Sequence, residues 1–85
     1  MNNIIELEDI LFVFHKWIII FKAEYLPLLK GKHCIELLDA QGKTLGSASL
    51  GQLGRSKNPE IEGIFLQNYP LQINMKLVHA IRYGI

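Results

Sequence analysis

Cysteine is nearly absent: the 85-residue chain has only Cys34. A single thiol forms no internal disulfide, which excludes a cystine-stapled secreted scaffold and leads us to expect a reducing, cytoplasmic setting. Charge of one sign is missing too. Nine Lys and Arg stand against eight Asp and Glu, a formal net charge of +1, so neither a basic domain wrapped by a polyanion nor an acidic mimic of nucleic acid is expected. Polar low-complexity tracts, linkers and repeats are lacking, and with 49% hydrophobic residues and three prolines the chain has the composition of an ordered protein. Its length allows one domain, residues 1–85, built around one small core.

The chain also lacks an apolar run of the roughly 20 residues that a membrane-spanning helix needs. The longest run, residues 10–21, is bounded by Asp9 and Lys22 and contains His15 and Lys16. Glu6, Glu8 and Asp9 near the start are unlike the basic opening of a secretory signal, so none is expected. A helix lying flat in a bilayer interface is disfavoured because Phe12, Val13, Ile19 and Ile20 interrupt the polar face it would need.

That run is nevertheless the dominant feature of the sequence. Its residues are almost all β-branched or aromatic, types that fit a pleated strand better than a helix. We therefore expect a β-rich small domain, an antiparallel sheet or partly closed barrel with at most one or two short helices. The alternative is an α+β fold in which an N-terminal helix, about residues 4–25, packs on an antiparallel sheet; positions 4, 7, 11, 14, 18, 21 and 25 form its apolar stripe, and Asn3 and Glu6 have capping-box spacing. In either form the run has more apolar surface than one core can cover. Phe12, Phe14, Trp17, Ile18 and Ile20 are accordingly expected at an interface with a second copy or another protein.

Elsewhere the pattern is that of strands and turns. Residues 33–38 and 44–50 are expected to pair across Asp39-Ala40-Gln41-Gly42-Lys43, with Gly42 taking the left-handed conformation. Gly51, Gly54 and the stretch 56–59 predict a long exposed loop, followed by a short apolar segment, 61–66, of open type. From Leu71 to Ile85 every second residue is apolar or histidine, which predicts a strand beginning near Pro70, with Leu71, Ile73, Met75, Leu77, His79, Ile81, Tyr83 and Ile85 facing inward.

No arrangement of residues points to catalysis. Residues 46–57 are rich in glycine and end in Arg55 and Lys57, but lack the Lys-Ser or Lys-Thr step of a phosphate-binding loop. His15, His33 and His79 lie in separate segments without zinc-ligand spacing, and Cys34 adjoins His33 where successive strand side chains diverge. Neither an enzymatic activity, a metal nor a cofactor is expected. Residues 30–57 carry five Lys and Arg against two acids, so a small nucleic-acid-binding barrel is the alternative function. Lys30, Lys32, Lys43, Arg55 and Lys57 would be its anion contacts, with Tyr25, Tyr69 and Tyr83 as stacking groups. The favoured reading is a non-enzymatic interaction or assembly module acting through residues 10–21.

Overall fold

The N-terminal segment lies at both edges of the sheet. The computed structural model describes residues 3–54, 56–69 and 71–84, and among these are seven strands: β1 (Ile4–Glu6), β2 (Asp9–Val13), β3 (Lys16–Lys22), β4 (Cys34–Leu38), β5 (Thr44–Gly54), β6 (Ile61–Leu66) and β7 (Ala80–Arg82). All pairings are antiparallel, in the order β1-β7-β4-β5-β6-β3-β2. β1 and β2 occupy opposite ends of that order, yet only Leu7 and Glu8 separate them in the chain. The sheet therefore curls until its two edges share one segment. The Leu7 N–H donates to the His79 carbonyl at 3.0 Å, and the Glu8 N–H donates to the Ile20 carbonyl at 2.7 Å. β1 and β2 form no ladder with each other, so the result is a partly closed barrel.

A bent strand makes the opposite corner. The first part of β5 pairs with β4 and the last part with β6, with a register shift between Leu50 and Leu53. A bulge of this kind increases local twist and lets one strand serve two halves of a sheet. Alternation then sends Ile19 and Phe21 of β3, Ile35 and Leu37 of β4, and Ile64 and Leu66 of β6 into one core with Ile5 and Ile81. No polar or charged residue among those described is buried in it. A helical turn, α1 (Leu26–Leu29), follows a 3-10 turn at Ala23–Tyr25 and places Leu29 in the core.

The preference of residues 10–21 for strand over helix is borne out, and the alternative N-terminal helix over residues 4–25 does not form. The segment is nevertheless not one continuous strand. Phe14 and His15 adopt φ of 54° and 62°, and the chain folds back so that Phe12 pairs with Trp17 and Val13 with Lys16. Two positive φ angles are what a two-residue type I′ hairpin turn demands. The usual Asn-Gly signal is absent, so the turn leaves little trace in the sequence. Folding back resolves much of the apolar surplus: Ile19 and Phe21 enter the core, while Ile18, on the outer face, is covered as well. Gly54 and Gly63 pair with each other across β5 and β6, and the Ile18 side chain lies over both, leaving it 8% exposed.

Those glycines correct a second expectation. Gly51 and Gly54 belong to β5 rather than to a long loop; they are glycines because a side chain or backbone passes close to each. Residues 61–66 form β6. The hairpin of β4 and β5 is borne out, with Gly42 at φ 81°. Asp39 Oδ1 accepts from the N–H groups of Gln41 and Lys43, both at 2.9 Å, and so fixes the loop.

The expected strand over residues 71–85 is overturned. Only Ala80–Arg82 is strand, and Met75–Leu77 is a 3-10 turn. The Asn74 side chain accepts from the Lys76 N–H at 3.0 Å, a local bond that competes with an extended ladder. Burial then follows a spacing of three, with Met75 and Val78 inside, while Leu71, Leu77 and His79 are exposed. His79 is therefore not an inward-facing histidine, although its backbone N–H donates to Leu38 and its carbonyl accepts from Leu7. Pro70 and Ile85 lie outside the described residues.

Two substitutions test this account of the glycines. Gly42→Val should lower stability by more than about 1 kcal/mol from backbone strain alone, since open space surrounds the site. A Cβ at Gly63 would stand 2.8 Å from Ile18 Cδ1 and 3.2 Å from its Cγ1. Gly63→Ala should therefore cost about 1–3 kcal/mol by overpacking, and part of that loss should be recovered in the Gly63→Ala, Ile18→Ala double variant; additive losses in chemical denaturation would place Ile18 elsewhere.

Candidate interaction surface

The β2–β3 hairpin carries the largest group of exposed apolar side chains near one strand edge. Leu11 is 42% exposed, Phe12 55% and Phe14 83%. The pairing explains the pattern. Ile10 lies opposite Ile19 and packs on the core, whereas Leu11, on the outer face, lies opposite Ile18. Phe12 returns to the inner face beyond the end of the packed core. There its ring meets Trp17 edge-on at 5.0 Å and His15 at 6.5 Å.

β2 is also an edge strand. β3 pairs along one side of it, and among the described residues no strand pairs along the other. Natural sheets commonly blunt such an edge with lysine, proline or a bulge, but β2 has the sequence Asp-Ile-Leu-Phe-Val and a regular register. Its only charge is Asp9, whose Oδ1 accepts from the Ile10 N–H at 2.8 Å. The edge is thus open and apolar.

At the hairpin tip, Phe14 holds a left-handed backbone conformation that histidine tolerates better than a bulky aromatic does. Its ring does not offset that strain by burial. Beside the hairpin, between Phe12 and Trp17 on one side and Tyr69, Leu71 and Ile73 on the other, runs a groove of about 420 Å³. Leu71, 85% exposed, stands at its rim.

The residues expected at an interface therefore divide. Phe12 and Phe14 point to solvent, Trp17 and Ile20 are half-buried, and Ile18 is buried within the chain's own fold. Sequence reasoning missed Leu11 and Leu71. Leu11 could have been singled out only from the position of β2 at the end of the strand order, which local pattern does not reveal. Leu71 was assigned to an inward strand face that does not exist.

The candidate anion contacts do not converge. Lys43 lies in the β4–β5 turn and Lys57 follows the other end of β5, with eleven strand residues between these ends. Lys30 and Lys32 flank Gly31 after α1, and Arg55 lies outside the described residues. Tyr25, Tyr69 and Tyr83 are half-buried against the core rather than splayed beside these cations. Cys34 is exposed, and no group of three His, Cys, Asp or Glu among the described residues is placed to hold a metal ion. Among the described residues no helix is long and apolar enough to cross a membrane. Comparison with protein families, with characterised proteins and with solved structures finds no match to this chain.

Proposed function

We propose that this protein is a non-enzymatic assembly module that associates with a second copy of itself through the edge of β2 and the tip of the β2–β3 hairpin. The observation that carries the reading is the coincidence of an unpaired strand edge with Leu11, Phe12 and Phe14 in water. Full burial of such side chains is worth about 1.5–3 kcal/mol each, and their exposed fractions leave much of that gain unrealised in a lone chain. Two β2 strands pairing antiparallel about a two-fold axis at Leu11 would set each Leu11 against its counterpart and each Ile10 beside a Phe12. Their outward backbone groups would find partners in the same step, with the Ile10 N–H exchanging Asp9 for the second copy, as an isologous contact requires. Docking of a different protein on this edge is the variant of the same reading. The free, exposed Cys34 thiol suits a cytoplasmic setting. Nucleic-acid binding has less support, because Lys43 and Lys57 lie at opposite ends of β5, away from Lys30 and Lys32, and its tyrosines are packed.

Light scattering coupled to gel filtration should give a dimer mass for the wild-type chain and a monomer mass for Leu11→Lys combined with Phe12→Lys, both with closely similar circular dichroism. A wild-type protein that remains monomeric at high micromolar concentration removes the basis of the proposal. The turn supplies a second test. Replacing Phe14 and His15 by Asn and Gly should relieve the left-handed strain and raise stability by roughly 1–3 kcal/mol. The same variant should dimerise more weakly, having lost the Phe14 ring. A variant both more stable and equally dimeric would take Phe14 out of the contact.

A further inference from the structure

A second groove, away from the β2 edge, combines an apolar floor with a basic rim. It lies between α1 and the bend of β5, has a volume of about 600 Å³, and is floored by Leu26, Leu29 and Leu53 with Lys30, Lys32 and His33 around it. No acidic residue lines it. We infer that this groove binds a single-tailed amphiphilic anion, a long-chain carboxylate, with its hydrocarbon along the leucine floor and its carboxylate at Lys30, Lys32 and His33.

Three observations support the assignment. The floor contains a large side chain with no structural reason to be in water: Leu53 is 57% exposed although it lies opposite the buried Ile64 in the β5–β6 ladder. The rim is held in place by the backbone. The Lys30 N–H donates to the Pro27 carbonyl, Gly31 turns the chain at φ 79°, and the Lys32 N–H donates to the Leu29 carbonyl at 3.0 Å. The His33 carbonyl then accepts from the Leu50 N–H at 2.8 Å, which ties the end of this turn to β5. Finally, neither lysine has an ion-pair partner among the described residues, whose one salt bridge joins Arg82 and Glu36.

The volume lies within the range of small-ligand sites, which join a mostly apolar wall to a few converging polar groups. The rim supplies ammonium point charges and, among its described residues, no arginine. Each ammonium is a point charge that a carboxylate meets without needing a bidentate fork.

Trp17 makes the test position-specific, since it lines the groove beside β2 and not this one. Sodium decanoate, kept below its micellar concentration, should bind the wild-type chain saturably at one site in calorimetry, with decanol weaker. It should shift the methyl resonances of Leu26, Leu29 and Leu53 and leave Trp17 emission unchanged. Lys30→Glu combined with Lys32→Glu should weaken decanoate about tenfold while leaving decanol unaffected, and Leu53→Asn should weaken both. These residues are exposed or lie at the rim, and thermal melts would check that each variant folds. The comparison of decanoate with decanol needs no variant. Absence of saturable decanoate binding, equal affinity for the alcohol, or binding that changes Trp17 emission and survives Leu53→Asn would each overturn the assignment.

Discussion

The architecture depends on ten residues, 4–13, that serve both edges of the sheet. β1 bonds to β7 and β2 bonds to β3, so a single stretch of chain links the two ends of the sheet order. The two edges are joined through the chain itself, without a ladder between β1 and β2. Among the described residues β2 is bonded by a strand on one side only, at the end of the sheet order. Local sequence at β2 protects that edge only at Asp9, since Ile10 to Val13 offer no charge or proline to discourage another strand.

The turn at Phe14 and His15 sets how much of the apolar run the fold can absorb. As one straight strand, residues 10–21 would present two apolar faces, one of which a single core could cover. Folded back at φ 54° and 62°, the run becomes two strands whose inner residues share a core and whose outer Ile18 lies over the Gly54–Gly63 pair. What is left over gathers at the edge strand and the tip. The left-handed backbone and the exposed aromatic thus occur together at the hairpin tip.

Much of the fold was legible in the sequence because it rests on local chemistry. The β-branched and aromatic character of residues 10–21 favoured strand, and Asp39 through Gly42 carried their own turn signal. The errors share a cause in long-range geometry. Gly51 and Gly54 look like chain breakers until Ile18 and Phe65, distant in sequence, are placed beside them. The alternation of residues 71–85 looks like a strand until Asn74 takes a backbone bond for itself and sets a spacing of three. The candidate surface was half-legible for the same reason. Phe12 and Phe14 followed from composition, whereas Leu11 required the strand order and Ile18 was lost to a glycine pair more than thirty residues away.

The two apolar surfaces differ in the partner each can accept. Along β2, a strand edge that no described strand covers accompanies the side chains, and the Ile10 N–H on it is held by Asp9, so the proposed occupant is extended polypeptide able to add to the ladder. At the groove beside α1, the turn around Gly31 already bonds its own backbone, as Lys30, Lys32 and His33 each show. An occupant there needs to supply only apolar contact and a negative charge. The difference follows from where the chain has satisfied its hydrogen bonds, and under the two proposals a protein partner on the β2 edge and an amphiphile in the groove beside α1 would not compete for the same contacts.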